Sequence, residues 1–167
     1  MDDKLEIILV RRFPKIFKDY GGDYRYTCMA WGFECGDGWF SIIYEACYNT
    51  TQLSKGTDLQ VVASQVKQKF GGLRFYYSIE GAYTPLSKLF AKLRNFIFSL
   101  KLGVHYWKIV DFRKKFWKSI PEKISDAIDY AENKSYKTCE SCGAKGSQRG
   151  GFYIYTFCDG CERKVIR

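Results

Sequence analysis

Four cysteines near the carboxyl end are the residues of this chain best spaced for chemistry. Cys139 and Cys142 form one C-x2-C pair, and Cys158 and Cys161 form a second after fifteen intervening residues. Each pair can present two thiolates to one ion, and the spacing reads as a tetrahedral zinc site. Zn2+ is therefore the expected cofactor. Gly143 and Gly160 are placed to make turns that approach the ion closely. The run 152–157 is rich in β-favouring residues and predicts a strand leading into the second pair. Knuckle, glycine-rich turn, strand and knuckle make the layout of a zinc ribbon. The quartet has three readings: a structural zinc, a catalytic zinc, or two disulfides. Four sulfur ligands leave no open position for water or substrate, which favours the structural one. Four thiolates on a dication leave a net charge of about −2. Lys137, Lys145, Arg149, Arg163 and Lys164 would offset it, and could equally touch an anionic partner.

A second constellation lies in the first half. Trp31, Glu34, Asp37 and Trp39 crowd around Cys35 on a loop broken by Gly32, Gly36 and Gly38. Lys67, Lys69 and Arg74 are candidates to face it. Acids, an aromatic wall and nearby cations suit a nucleotide or another flat anionic ligand. The plainer reading puts the tryptophans in the core and pairs Glu34 with a neighbouring cation. Reaction chemistry has few carriers. The one histidine, His105, would have to serve any histidine triad by itself. Cys35 has no evident cation to lower its pKa. Glu34 and Asp37 make a candidate carboxylate pair for acid–base work.

The net charge is +9 over 167 residues, and it is uneven. Between Thr84 and Ile120 lie nine basic residues and one acid, Asp111, so that segment carries +8 and the rest +1. Lys88, Lys92, Lys108, Arg113, Lys114, Lys115 and Lys118 are the candidate nucleic-acid contacts. Tyr106, Trp107 or Trp117 would stack on bases there. The same segment could instead lie on a membrane surface, or simply keep a helix wet. An apolar share of 46% is enough for a real core. No apolar stretch approaches the roughly 20 residues of a bilayer span. The first residues lack the pattern of a secretory signal, and seven cysteines then suit a reducing, cytoplasmic setting. Cys28, Cys35 and Cys47 are expected to be free and partly buried.

The elements that must position these groups follow from periodicity. Residues 4–17 predict a helix that ends near Phe13, ahead of Pro14. Asp37 is the expected cap of a helix carrying Trp39, Ile42, Ile43, Ala46 and Cys47 on one face. Leu59, Val62, Val66 and Phe70 predict a second amphipathic helix over 58–70, stopped by Gly71 and Gly72. Leu73, Phe75 and Tyr77 then alternate with Arg74 and Tyr76 as a strand. The basic segment has helical spacing on both sides of Gly103 and predicts a hairpin of helices. Ser119, Pro121 and Glu122 start a last helix, with Ile124, Ala127, Ile128 and Ala131 inward.

Three stretches carry a family likeness: Trp31-Gly-Phe-Glu-Cys-Gly-Asp-Gly-Trp-Phe40, Gln65-Val-Lys-Gln-Lys-Phe-Gly-Gly-Leu-Arg-Phe-Tyr-Tyr77, and the cysteine quartet preceded by Ile128-Asp-Tyr-Ala-Glu132. Together they resemble a group of small bacterial and bacteriophage proteins with a zinc-ribbon-like tail, over about residues 12–80 and 122–161. The resemblance implies a phage or prophage setting and a cytoplasmic protein, and it brings no reaction and no catalytic residue. Against that group the basic segment looks like an insertion. The expected architecture is α+β: a core of residues 1–83 and 121–137, an inserted basic helical hairpin over 84–120, and a zinc ribbon over 138–167. The expected function is binding without catalysis, to nucleic acid or a nucleotide-phosphate ligand. The alternative is a phage-encoded interaction protein that blocks a host enzyme or defence component.

Overall fold

The computed structural model describes residues 1–81, Phe96, Leu100 and 119–165. Apart from Phe96, Leu100, Ser119 and Ile120, the predicted basic hairpin, with Lys88, Lys92, Lys108, Arg113, Lys114, Lys115 and Lys118, and also His105, lies outside the described residues. The fold is α+β, with a four-cysteine cluster at the carboxyl end.

Helix α1 spans Asp3–Arg12 and ends at Phe13, as the proline two residues from Arg12 predicts. Asp2 caps it by accepting the Lys4 N–H at 2.9 Å. A short 3-10 turn, Cys28–Trp31, leads to strand β1, Phe33–Glu34. A second 3-10 turn, Asp37–Trp39, feeds helix α2, Phe40–Ser54. Asp37 does not cap α2. Its carboxylate accepts the Asp2 N–H at 2.7 Å instead, and α2 has no side-chain cap. The inward face of α2 is as its spacing predicts: Trp39, Ile42, Ile43, Ala46 and Cys47 are all buried.

Residues 58–70 are not a helix. Strand β2, Gln60–Lys69, pairs antiparallel with β3, Gly72–Glu80. A β-bulge between Ala63 and Gln65 explains the misreading. Before it Val61 and Ala63 face the core, and after it Val66 does. The extra residue changes the phase of the alternation, so a period of two looks like a period near four. Gly71 and Gly72 therefore end a strand rather than a helix. Phe70 and Gly71 have φ of +52° and +73°, the pair of positive values that a two-residue hairpin turn requires.

Strand β1 lies parallel to β2, so the sheet order is β1-β2-β3. Its inner face carries Phe33, Val66, Leu73 and Phe75 against α1, α2 and a last long helix, α3, over Ile120–Ser135. That helix opens with a capping box between Ser119 and Glu122 and buries Ile124, Ile128 and Ala131. Ala127 is half-buried.

Strand β3 is an edge, and α3 covers it. The Leu73 N–H donates to Ser135 Oγ at 2.8 Å, and the Phe75 N–H donates to Glu132 Oε1 at 2.8 Å. Two backbone donors that would face outward are thus satisfied by helix side chains. Glu132→Ala removes one acceptor and leaves a donor at the edge unpaired. It is expected to cost about 1–3 kcal/mol in urea unfolding, while Glu132→Gln recovers part of that loss.

Candidate metal centre

The tail builds its cluster from two short hydrogen-bonded loops. In the first, the Cys139 N–H donates to Ala144 O at 2.7 Å and the Gly143 N–H to Cys139 O at 2.9 Å. Gly143 has φ +77°, the left-handed turn its position predicts. In the second, the Cys161 N–H donates to Cys158 O at 3.1 Å, and helix α4, Asp159–Val165, continues the chain. Gly160 sits inside that helix, so it makes no separate turn.

Between the loops, strands β4, Ser147–Arg149, and β5, Tyr155–Phe157, form a two-stranded antiparallel sheet. The predicted strand over 152–157 is therefore shorter, and its partner β4 was not visible in the sequence. Arg149 ties this sheet to the second loop. Its Nε donates to Phe157 O at 3.1 Å, and its guanidinium holds the carboxylates of Asp159 and Glu162.

The four sulfurs of Cys139, Cys142, Cys158 and Cys161 all lie within 4.8 Å of one another. Cys142 and Cys158 are 3.7 Å apart at Sγ, far beyond a disulfide bond of about 2.05 Å. All seven cysteines are free thiols. A tetrahedral site with metal–sulfur bonds of about 2.3 Å has its sulfurs about 3.8 Å apart. The residues present therefore fit a four-sulfur metal centre.

The thiols share their protons unequally. Cys158 is drawn down to about 7, first by the Cys161 N–H. At Cys142 the Ala144 N–H is the largest single influence and favours the thiolate, but the three other sulfurs together push the group up to about 12. A dication binds such a cluster by displacing these protons.

The first loop is seated on the Gly36–Trp39 turn. The Gly38 N–H donates to Glu140 O at 2.7 Å. The Gly36 N–H donates to Glu140 Oε1 at 3.1 Å, and Trp39 Nε1 donates to Thr138 O at 2.8 Å. A methyl group on Gly38 would lie 2.2 Å from Cys139 O, and one on Gly36 would lie 2.4 Å from Glu140 O. Backbone meets backbone here, and only glycine permits it. Burial pushes the Glu140 carboxyl above its ordinary range, against the pull of the Gly36 N–H. Glu140 and Thr138 are site residues that sequence reasoning missed. Their one signal is adjacency to Cys139.

The other sequence-predicted residues separate into groups. Trp39 is fully buried and serves the seat of the first loop, whereas Asp37 holds the Asp2 N–H at the start of α1. Trp31 is exposed, its ring 6.2 Å from that of Tyr24. Glu34, Lys67 and Arg74 are brought side by side by register across β1, β2 and β3, on the sheet face away from the core. There Glu34 accepts from Gln65 Nε2 at 2.7 Å. Lys67 lies over the Tyr76 ring at 5.6 Å and Lys69 over the Phe70 ring at 5.4 Å. Arg74 turns to α3, donating to Tyr136 Oη at 2.5 Å and to Glu132 at 3.4 Å. Cys35 and Cys47 are buried, and desolvation pushes the Cys35 thiol up to about 12 and Cys47 higher still. That argues against an activated Cys35.

Comparison with protein-family models, curated proteins and solved structures returns no match for this chain. The fold and the cluster define the class by themselves: an α+β protein with a carboxyl-terminal four-cysteine site able to hold a metal ion. Among the described residues no helix is long and apolar enough to cross a membrane.

Two outcomes follow. Iodoacetamide followed by mass spectrometry is expected to label exposed Cys28 alone while metal is bound, and the quartet only after a chelator is added. Labelling of the quartet at equal speed without chelator would refute a metal centre. Gly38→Ala is expected to cost about 1–3 kcal/mol in thermal or urea unfolding, as an overpacked contact does. Gly151→Ala, whose new methyl meets nothing within 4 Å, serves as the control.

Proposed function

We propose that this is a zinc-ribbon binding protein that takes single-stranded nucleic acid, or another nucleotide-phosphate ligand, on the open face of its sheet. One observation carries the reading. Lys67 and Lys69 fall on the same face of β2 two residues apart, and they lie over the rings of Tyr76 and of Phe70 in the hairpin turn. Both rings are open to solvent, at 42% and 64% exposure. Exposed rings offer stacking surfaces that tolerate any base, and neighbouring lysines neutralise the phosphates between them. The +8 segment over 84–120 supplies the longer-range attraction in this reading.

The metal is zinc, and its role is structural. Four thiolates suit zinc and close its coordination shell, so water has no position from which to be activated. The protein acts by binding, not catalysis: Cys35 is a buried, protonated thiol, and Glu34 and Asp37 point to different partners. Its setting is a bacterial cytoplasm, as the likeness to phage proteins implies. A second reading, an interaction protein that blocks a host enzyme or defence component, has its own support in Trp31, Tyr24 and Tyr26. These three exposed rings lie on one loop, and aromatic anchors of this kind dominate protein interfaces.

Fluorescence anisotropy with a labelled oligothymidylate separates the two. Affinity is expected to fall steeply with salt, with a log–log slope of about −0.7 per phosphate neutralised. Tyr76→Ala and Phe70→Ala should each weaken binding by about 1–3 kcal/mol. No binding at low salt, or binding insensitive to both salt and these substitutions, would remove the first reading. A host protein retained by the wild type and lost by Trp31→Ala would favour the second.

A further inference from the structure

A cleft of about 460 Å3 opens on the opposite side of β2, where α1 ends, α2 ends and β2 begins. Its volume falls within the roughly 300–1,000 Å3 of small-molecule sites. The floor is apolar: Phe13, Ile16, Leu59 and Val61 are all buried. The rim is polar and one-signed, with Arg12, Lys15 and Lys55 and no carboxylate among the lining residues. Lys15 and Lys55 form no ion pair among the described residues. Arg12 donates its Nε to Tyr44 Oη at 3.3 Å and its guanidinium lies over the Phe13 ring at 5.9 Å, while its terminal nitrogens make no hydrogen bond among the described residues.

Ser54, at the end of α2, lines this cleft. Its Oγ is turned inward, buried, and without a hydrogen-bond partner among the described residues. Buried hydroxyls are nearly always satisfied, and a change of rotamer about χ1 would bring this one to a partner in the cleft. The neighbouring hydroxyls are accounted for: Thr50 and Thr51 donate to Cys47 O, and Thr57 donates to Ser54 O.

The two helix ends set the opposing term. Each contributes about half a negative charge near its last carbonyls. Three full cations exceed those two half-charges, and the excess favours an anion of charge near −2. A phosphomonoester has that charge. The apolar floor adds a requirement for a flat or aliphatic body on the same molecule.

We propose that this cleft is a binding site for a small phosphomonoester with an apolar or aromatic body. Lys15, Lys55 and the Arg12 terminal nitrogens hold the phosphate, Ser54 Oγ turns out of its buried position to donate to the ligand, and the body covers Phe13, Ile16 and Leu59. The site is separate from the open sheet face, and it stands or falls independently of nucleic-acid binding there.

The experiment is isothermal titration calorimetry of the intact metal-loaded protein with AMP, GMP, CMP and UMP, alongside adenosine and inorganic phosphate. At least one nucleotide is expected to bind saturably, with adenosine and phosphate each at least tenfold weaker. Lys15→Gln with Lys55→Gln, two exposed positions, should weaken that nucleotide at least tenfold without lowering Tm. Ser54→Ala should weaken it severalfold and leave Tm unchanged or higher, which a purely structural hydroxyl would not do. In NMR titration the shifted amides should be those of Thr51, Ser54 and Thr57. No saturable binding by any of the four nucleotides would overturn the proposal, as would phosphate binding as tightly as they do. Shifts confined to Lys67, Tyr76 and their neighbours would also overturn it, while leaving the sheet-face reading intact.

Discussion

The contact between the Gly36–Trp39 turn and the first cysteine loop holds the two halves of this molecule in one arrangement. Three hydrogen bonds cross it, from Gly36, Gly38 and Trp39 to Glu140 and Thr138. Each contributes about 1 kcal/mol net, but each would cost more if broken and left buried. The geometry has no slack, because Gly38 lies against the Cys139 carbonyl with no room for a methyl group. Cys139 is the one fully buried member of the quartet, so one residue of the candidate metal site is also packed inside the fold. Any ion bound by the quartet would be coupled to that packing through this one residue.

A second attachment keeps the tail from pivoting about the first. The turn of the β2–β3 hairpin presents its carbonyls to the tail: Thr156 Oγ1 donates to Gly71 O at 2.5 Å, and Gln148 Nε2 to Phe70 O at 3.1 Å. In return Gln68 Nε2 donates to Ile154 O at 2.7 Å. A hairpin turn is normally a solvated end with unpaired carbonyls. Here it is a binding element, and the left-handed backbone of Phe70 and Gly71 aims those carbonyls outward. The same turn puts the Phe70 ring into solvent beside Lys69. One backbone conformation therefore seats the tail and creates part of the exposed aromatic surface.

The cations divide by what surrounds them. Arg74 and Arg149 are consumed by carboxylates within the fold, bridging β3 to α3 and β4 to α4. Lys18 and Lys134 pair with Glu80 and Glu45 at the surface, where such pairs contribute little. Lys67 and Lys69 lie over rings, and Lys15 and Lys55 line a cleft without acids. Net charge alone does not separate these roles, since each residue counts the same in the sum. Geometry does, because a cation already neutralised by a carboxylate in contact with it has little left to offer a ligand.

The four-cysteine cluster was legible in the sequence because it depends on spacing that the chain itself carries: two residues between paired cysteines fix a loop whatever surrounds it. The face of α2 was legible for the same local reason, as were the end of α1 before Pro14 and the Ser119–Glu122 box of α3. Strand β2 was not, because a bulge shifts the side-chain phase and only its partner strand determines where a bulge falls. Asp37 read as a cap, and lost that role to a backbone donor distant in sequence. The glycines around Cys35 looked like the walls of a pocket. Tertiary structure made two of them, Gly36 and Gly38, the seat of the first cysteine loop, because what a missing side chain makes room for is decided by the segment that comes to lie against it.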